Sequence, residues 1–412
     1  MSTPARILML APEPFFEPRG TPFSEYHRIK ALVELGYAVD LVTYPIGQDV
    51  DLPNLKVYRC LRPPFVERVA IGPSVLKVFL DILLAWTAFR LARRGRYLAI
   101  HSHEEAAVLG VWLARWLGIP HLYDMHSSLP QQLSNFRYSR SRLVRYLFER
   151  LERYVVQGSQ VIVTICQELF DTVVAMGAGG RTVLIENVMG GEMGEPASVP
   201  VRAAWSIPPE APLLLYTGTF EPYQGLDLLH AAAQLLKLTH PEARIMIVGG
   251  ESHQVSVARA RAGQDRLPLM FVGRRPADEI PAFVAACDIL VSPRTAGTNT
   301  PLKIYSYLRS GRPIIATDLR THTQVLKPGT ALLVPAEPTA FAAAMGRLID
   351  SPTERQQLAQ AALALASRRY SRAVYLDQTK QAYLRLLGGG AMNRRLAGEG
   401  AEVQVVRSPP GS

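Results

Sequence analysis

The sequence predicts an α/β protein with two Rossmann-like, doubly wound domains that face each other across a cleft. Three observations lead to this fold class. The chain has 412 residues, whereas one domain usually holds about 100–200. Both halves alternate short apolar runs with longer helical patterns, as expected for right-handed βαβ units and parallel sheets. A stretch rich in Gly, Pro and small residues, 188–212, separates the halves.

The first half is predicted to fold as one domain over residues 1–190, followed by a linker over 191–211. Its apolar runs predict strands at 6–11, 37–44, 56–59, 97–102, 121–125 and 161–165. Apolar residues at helical spacing predict helices at 21–36, 75–94, 104–117 and 140–157.

The second half repeats the alternation, which predicts a second domain over 212–370. Its strands are predicted at 212–218, 243–250, 267–273, 288–293 and 312–318. The main helical patterns lie near 224–239 and at 337–350, 352–369 and 371–387. The tail, 388–412, contains GGG and PPGS and is predicted to be disordered.

Composition narrows the function classes. The formal net charge is +10 and the pI is near 9.6, which favours anionic partners. No zinc-finger spacing, RNP motif or basic zipper is present, so we expect no nucleic-acid partner.

Cys60, Cys166 and Cys287 are widely separated, which fits a reducing cytoplasm. Lys77 and Asp81 interrupt the most apolar helical segment, so no transmembrane helix is predicted.

The first motif is EPRGTPF (17–23), between the first strand and the first helix. Ligands of parallel sheets bind beyond the carboxyl ends of the strands. Gly20 would let the backbone approach a ligand, and Arg19 would add positive charge at the helix N-terminus. The alternative is a plain turn that needs a glycine.

The second motif is HLYDMHSSLPQQL (121–133), where polar residues follow a strand. His103 and Glu104 end the preceding strand, so the two sets are expected to be neighbours. They could bind sugar hydroxyls, hold a metal, or cap loops. We favour sugar binding for His126 and predict no metal site, because no ligand spacing is fixed here.

Two strand–loop–helix corners open the second half. LLYTGTFEPYQG (214–225) contains Gly218 after a strand and Gln224 before a helix, and IVGGES (247–252) contains Gly250. Such corners accept anions. The sequence has no GxxxxGK[ST] and no clean GxGxxG after the first strand, which weighs against P-loop enzymes and dehydrogenases.

The most specific motif is SPRTAGTNTPLKIYSYLRSGRPIIATD (292–318). A strand, a polar glycine loop and a helix opened by Pro301 follow one another. The N–H groups around Asn299 to Leu302 would point at a phosphate, with Arg294 and Lys303 as counter-charges. The alternative is an ordinary loop–helix–strand unit with a surface lysine.

These motifs resemble the family 4 (group 1) glycosyltransferases of GT-B architecture, from about residue 5 to 387. The segments that carry the resemblance, in family order, are GTPFSEYHRIKALVELGYAVDLVTY, IPHLYDMHSS, TGTFEPYQGLDLLHAA, IMIVGG, FVGR, AACDILVSP and TPLKIYSYLRSGRPIIAT. The resemblance implies retaining transfer of a sugar from a UDP- or GDP-linked donor to a sugar, lipid-linked or polysaccharide acceptor. It also implies no cofactor and no divalent metal, and a last helix, 371–387, that crosses back to the first domain.

The resemblance assigns roles to residues. His126 and Gly20 are the candidate catalytic residues that face the sugar. The candidate nucleotide-sugar residues are Gly218, Thr219, Gln224, Gly250, Arg274, Arg294, Asn299, Thr300, Pro301, Lys303 and Ser306.

Four positions depart from the family pattern. Thr298 and Ser306 stand where two glutamates are common, and Thr219 and Gln224 stand where an Arg and a Lys are common. Losing a charge-assisted phosphate bond costs about 1.5–3 kcal/mol. Two alternatives to a transferase therefore stay open: a non-catalytic nucleotide-sugar-binding or scaffold protein, and a sugar-nucleotide epimerase of related fold.

A helical segment, 137–156, raises the question of membrane contact. Leu143, Leu147, Leu151 and Val155 share one face, and six arginines decorate the rest. With Arg90, Arg93, Arg94 and Arg96 they would form a basic patch that contacts anionic lipid at the inner face of the membrane. The alternative is a core-facing helix with solvated arginines.

Overall fold

The computed structural model describes residues 4–17, 20–67, 69, 74–128, 130, 142–187 and 199–388. They form two parallel sheets with helices on both faces, so the predicted fold class is confirmed.

The first sheet has seven strands in the order β3-β2-β1-β4-β5-β6-β7. Its strands are β1 Ala5–Ala11, β2 Tyr37–Thr43, β3 Leu55–Arg59, β4 Ala99–His103, β5 His121–Met125, β6 Val161–Thr164 and β7 Thr182–Leu184. Its helices are α1 Gly20–Glu34, α2 Val75–Arg94, α3 Ala106–Leu117, α4 Arg142–Gly158 and α5 Gln167–Ala175.

The second sheet has six strands in the order β10-β9-β8-β11-β12-β13. A short helix, α6 Val201–Ala204, precedes β8 Leu213–Thr217, β9 Arg244–Val248, β10 Leu269–Gly273, β11 Ile289–Ser292, β12 Ile314–Thr317 and β13 Leu332–Val334. The helices are α7 Leu226–Thr239, α8 Ser252–Gln264, α9 Ile280–Ala286, α10 Lys303–Leu308, α11 Arg320–Thr323, α12 Pro338–Asp350, α13 Pro352–Arg369 and α14 Arg372–Leu387.

The central strands are apolar on both faces because helices cover both sides of each sheet. β7 and β13 were not predicted, since three residues are too few to show a periodic pattern. The end of the predicted linker packs on the second domain, where Val201, Ile207 and Ala211 are buried.

The last helix, α14, packs on the first domain, as the resemblance implied. Tyr375, Ala382, Tyr383 and Leu386 are buried in the core that contains β1 and β2. The ring of Tyr383 lies 5.2 Å from that of Tyr37. The chain therefore returns to the first domain after completing the second one. The predicted disordered tail lies outside the described residues, apart from Gly388.

Helix α4 does not turn its whole apolar face to the core, as the core-facing interpretation requires. Val155 is only 2% exposed, but Leu143 is 75% and Leu147 is 54% exposed. The first half of the helix therefore presents its leucines to solvent instead of to the core. Among the helices described, none combines the length and apolar character needed to span a membrane.

Candidate active site in the interdomain cleft

The carboxyl ends of the two sheets face each other, and several hydrogen bonds join the loops and helices at these ends. His126 follows β5 of the first sheet, and Asn299 lies in the loop after β11 of the second. The Asn299 side-chain amide donates to the His126 carbonyl oxygen at 2.7 Å. His126 and Asn299 therefore line one cleft, where ligands of doubly wound sheets bind.

Two buried cations lie on the second-domain side of this cleft. The Lys303 Nζ is buried without a hydrogen-bond partner among the described residues. It lies 3.8 Å from the centroid of the Tyr216 ring. The Arg294 side chain is also buried, and it donates to the carbonyls of Ala296 at 2.7 Å and Asn299 at 3.1 Å.

Neither cation is paired with a carboxylate in the part of the chain that the structure describes. Burial, and then the positive charge of Arg294, lowers the pKa of Lys303 well below its usual value. Burial also lowers the pKa of Arg294. Buried charges are normally paired, because removing them from water is costly. This corner is therefore electrostatically incomplete and would be stabilised by an anion.

Glycines allow the neighbouring loops to approach closely. Gly225 has φ +77°, and a Cβ there would lie 1.8 Å from the Pro293 carbonyl oxygen. A Cβ on Gly249, at φ +126°, would lie 1.9 Å from the Gly218 carbonyl oxygen. These contacts bring the loops after β8, β9 and β11 together. Gly218 and Gly250 therefore lie at the same edge as the two cations.

The four substituted positions lie around this corner. Gln224 Nε2 is 3.5 Å from Thr219 Oγ1, so the two positions that are commonly basic are neighbours. Ser306 lies one turn after Lys303 in α10, which places both on one face of the helix. The Thr298 carbonyl accepts a hydrogen bond from Gln324 Nε2 at 2.8 Å.

The remaining candidates of the second domain differ in position. Thr300 and Pro301 are buried in the loop before α10. Arg274 follows β10, which is an edge strand separated from β11 by β9 and β8. Its exposed side chain lies 3.7 Å from Glu251. The structure therefore does not bring Arg274 next to Arg294 and Lys303.

A buried polar cluster faces the cleft from the first domain. A ring nitrogen of His126 lies 3.1 Å from His103 Nδ1 and 3.4 Å from Asp124 Oδ1. Ser127 Oγ donates to Glu104 Oε2 at 2.6 Å. The expectation that the polar residues after β4 and β5 are neighbours is confirmed, because these strands pair in register at His103 and Asp124.

Arg28 of α1 keeps Asp124 of this cluster ionised. Its Nε donates to Asp124 Oδ2 at 2.8 Å. Burial alone would raise the pKa of Asp124, but the guanidinium and the nearby imidazoles hold it well below its usual value. Burial lowers the pKa of His126 to about 4. Nε2 of the neutral His126 ring faces His103, which leaves Nδ1 as the one ring nitrogen that can hydrogen-bond a sugar hydroxyl.

Three residues of the cluster are close enough to be considered as metal ligands. Ligand atoms of His101, His103 and Asp124 lie within 4.8 Å of one another. However, the rings of His101 and His103 are stacked at 4.8 Å with an interplanar angle of 22°, so their in-plane lone pairs do not converge. Arg28 already occupies Asp124 Oδ2. The arrangement favours a hydrogen-bonded network over a metal site.

Gly20 is the first residue of α1 and has φ +56°. It is exposed at the carboxyl edge of the first sheet, as the loop after β1 requires. Arg19, the predicted source of positive charge beside it, lies outside the described residues.

Several site residues escaped the sequence prediction. Glu25 and Arg28 of α1 are buried beneath the cleft. α14 supplies Thr379, which accepts from Arg28 at 3.0 Å, and Tyr383, whose hydroxyl lies 2.8 Å from His101 Nδ1. The only sequence signal for Arg28 was that a charged residue lies within a predicted amphipathic helix. No sequence pattern linked the side chains of α14 to this network.

Two family matches cover most of the chain. Residues 211–351 match the family described as Glycosyl transferases group 1, and residues 26–188 match the Glycosyl transferase 4-like domain.

Curated relatives share about a quarter of the sequence. The phosphatidyl-myo-inositol mannosyltransferase of Propionibacterium freudenreichii subsp. shermanii is 24% identical over 267 residues, covering 64% of this chain and 64% of that protein. The D-inositol 3-phosphate glycosyltransferase of Streptosporangium roseum is 26% identical over 367 residues, 82% of each chain. The match thus spans just under two thirds of the length of the mannosyltransferase.

Among solved structures, Anabaena Alr3699/HepE in complex with UDP-glucose superimposes with a TM-score of 0.70 and 17% identity. The match covers 92% of this chain and 99% of that one. At this level of identity, the likeness shows the fold.

Proposed function

Since the chain belongs to the group 1 glycosyltransferases of GT-B architecture, we propose that it moves a sugar from a nucleotide-sugar to an acceptor hydroxyl with retention of configuration. One observation carries the proposal. Lys303 and Arg294 are buried at the cleft without a carboxylate partner among the described residues. The diphosphate of a UDP- or GDP-sugar would supply the missing negative charge. The HepE complex with UDP-glucose supports this class of donor.

The two cations would act mainly on the leaving group. As the bond between sugar and phosphate breaks, negative charge grows on the diphosphate. The charges of Arg294 and of Lys303, which would be protonated once the diphosphate is bound, would stabilise it. The acceptor hydroxyl would attack on the face that the diphosphate leaves, and the leaving phosphate would take the hydroxyl proton. No side chain serves as a covalent nucleophile in this proposal.

His126 would orient the sugar. Its pKa of about 4 keeps the ring neutral at physiological pH, so it hydrogen-bonds a hydroxyl without adding charge. The bond from Asn299 to its backbone fixes its position relative to the phosphate corner. Orientation of this kind lowers the barrier by holding the reacting groups in place.

We also propose that the transfer needs no divalent metal. In many phosphate-leaving reactions a metal ion neutralises the developing charge. Here Lys303 and Arg294 supply positive charge at the corresponding corner. The carboxylate-poor surroundings of this corner offer few ligands to Mg²⁺, which prefers oxygen donors.

An apolar face on the first domain supports a lipid-linked acceptor and contact with an anionic membrane. This face is formed by exposed side chains of α2, α3 and α4, namely Val75, Val78, Phe79, Ile82, Trp86, Trp112, Trp116, Leu143 and Leu147. Exposed arginines flank it, at Arg90, Arg93, Arg94, Arg142, Arg145, Arg150 and Arg153. Apolar and aromatic side chains bordered by arginines are typical of surfaces that lie on anionic bilayers.

Vesicle sedimentation tests the membrane contact. Binding to phosphatidylglycerol vesicles should weaken as salt rises and should be reduced by Trp86→Ser. Leu238→Ser, at a residue of the second domain that is 79% exposed, is the control and should bind like the unchanged protein. Absent or salt-independent binding would contradict this part of the proposal.

Product analysis tests the transfer itself. The protein is incubated with UDP-glucose or GDP-mannose and with vesicles that contain phosphatidylinositol or polyprenyl phosphate, and proton NMR gives the anomeric configuration of the product. An α-linked product from an α-linked donor is expected. A β-linked product would contradict retention. Donor binding without turnover would favour a scaffold protein, and an altered sugar nucleotide formed without acceptor would favour an epimerase.

A further inference from the structure

Helix α2 is apolar on two sides, which is unusual for a helix at a protein surface. One side is buried in the core, with Leu80, Leu84, Ala88 and Ala92. The other side carries the exposed stripe that includes Val75, Ile82 and Trp86. A surface helix of a globular protein normally has one apolar stripe, so the second stripe implies an apolar partner.

A groove of about 580 Å³ lies beside this helix. Ala106, Leu109 and Trp112 of α3 form its floor, Leu84 and Ala85 of α2 form one wall, and Leu151 of α4 forms the other. The lining is therefore mainly apolar, and the groove opens at Trp112 onto the apolar face of the first domain.

The other end of the groove lies beside the acceptor side of the cleft. Glu105 lines the groove and follows Glu104, which accepts the hydrogen bond from Ser127. Ser127 is adjacent to His126. Along α3, the distance from Glu105 to Trp112 is about 10 Å at the rise of an α-helix. The groove thus extends from Glu105, which is linked to His126 through Glu104 and Ser127, to Trp112 at the outer surface.

One carboxyl at the inner end of the groove carries less negative charge than an exposed carboxyl would. Asp81 lines the groove and accepts a hydrogen bond of 2.6 Å from the Tyr44 hydroxyl. Burial raises the pKa of Asp81 to about 7. This carboxyl therefore carries only part of a negative charge near neutral pH, which reduces the penalty for placing a hydrocarbon beside it.

We propose that this groove binds the hydrocarbon chain of a lipid acceptor while its head group lies at His126. The inference rests on the proposed function and deepens it by naming the part of the acceptor that is recognised. Two observations identify the occupant as lipid: the groove opens onto the apolar face, and exposed arginines surround that face. The arginines match the anionic head groups of the surrounding bilayer, and the apolar groove matches the hydrocarbon chain of an acceptor drawn from that bilayer.

Quenching of Trp112 fluorescence tests the groove directly. Trp86, Trp116 and Trp205 are replaced by Phe, which leaves Trp112 as the single tryptophan. The probe is a lysophosphatidylglycerol brominated in the middle of its chain and kept below its critical micelle concentration. Saturable quenching is expected, and each methylene removed from the chain should weaken it by roughly fourfold.

A blocked groove provides the decisive comparison. Ala85→Phe in the same background should weaken the quenching at least tenfold, whereas Ala260→Phe on the surface of α8 should leave it unchanged. Equal quenching in the blocked variant would overturn the proposal. Quenching seen only with vesicles would also overturn it, since it would reveal surface contact alone. A Trp112 that stays protected at every lipid concentration would show that a second copy or another segment of the chain fills the groove.

The readout separates the two proposals because it requires neither donor nor turnover. Sugar transfer to acceptors without quenching of Trp112 would overturn the lipid groove and leave the transferase intact. Saturable quenching in a protein that transfers no sugar would overturn the proposed function and leave the groove intact.

Discussion

The Asn299 side chain donates a hydrogen bond of 2.7 Å to the His126 carbonyl, and the Asn299 carbonyl accepts one of 3.1 Å from Arg294. One asparagine thereby connects a buried cation of the second domain to the candidate sugar-binding histidine of the first. Under the proposed function, this residue helps to hold the donor site and the acceptor site in a fixed relative position, together with the contacts of Arg320 and Gln324 to the first domain.

Replacing Asn299 should weaken the connection between the donor site and the acceptor site. Asn299→Leu keeps the volume but removes the donor to His126, and one such bond contributes about 1 kcal/mol, or roughly fivefold in an equilibrium. We expect the acceptor KM to rise by about that factor, while the nucleotide Kd changes little. Steady-state kinetics and calorimetry measure the two quantities. Gln264→Leu on the surface of α8 is the control, and an unchanged acceptor KM in Asn299→Leu would contradict this connection.

Removing the His126 side chain should impair transfer without impairing nucleotide binding. We expect His126→Ala to lower kcat/KM by about tenfold, the value of a lost sugar hydrogen bond at the upper end of the usual range. Because the pKa of His126 is lowered to about 4, the ring stays neutral above that pH. Its contribution should be constant from pH 6 to 8, and an inflection near 6.5 that disappears in His126→Gln would contradict the assigned state.

Removing divalent metal should leave the activity intact. EDTA is added to the complete assay, and we expect the initial rate to stay the same because Lys303 and Arg294 provide the positive charge at the leaving group. The control is a metal-dependent transferase assayed in the same buffer. Loss of activity that Mg²⁺ or Mn²⁺ restores would show that the two cations are not sufficient.

Asp81 should make the protein less stable as the pH rises. Its pKa is raised to about 7 in the folded protein and is lower in the unfolded chain, so the folded state binds more protons between these values. The stabilisation is complete below the unfolded pKa and is lost as the pH rises through about 7. Asp81→Asn does not titrate, so its free energy of unfolding relative to the unchanged protein should increase from pH 5 to pH 8. Urea unfolding at both values measures it, and a constant difference would contradict the shift.

Much of the architecture followed from the sequence because its determinants are local. Apolar runs such as Leu213–Thr217 and helical spacing such as that of Val75–Arg94 encode the strands and helices directly. The strand ends placed His126 and Lys303 at carboxyl edges, because parallel strands put their carboxyl ends on one side. The three-residue strand Leu332–Val334 was missed, since its pairing with β12 depends on a tertiary contact.

The hydrogen-bonded residues that hold the candidate site in place could not be predicted, for a related reason. Arg28, Asp124 and Thr379 meet through residues that are 96 and 351 positions apart, and no local pattern encodes such a contact. The sequence left open whether Leu143 and Leu147 face the core or the surface, because periodicity identifies an apolar face without saying what covers it. The lowered pKa of Lys303 could not be predicted either, because burial, its main cause, arises only when the chain has folded.

The most direct test of the proposed site is the proton balance of nucleotide binding at Lys303. Calorimetry with UDP and GDP is carried out in buffers of different ionisation enthalpy, for the unchanged protein, for Lys303→Ala and for the control Lys237→Ala. A diphosphate should raise the lowered pKa of Lys303, so the unchanged protein should take up a proton and lose affinity as the pH rises through the interval between the two pKa values. Lys303→Ala should bind roughly 10- to 100-fold more weakly and lose the proton uptake, whereas Lys237→Ala should retain both. Equal affinity and equal proton uptake in Lys303→Ala would show that the nucleotide does not bind at this corner and would contradict the proposed function.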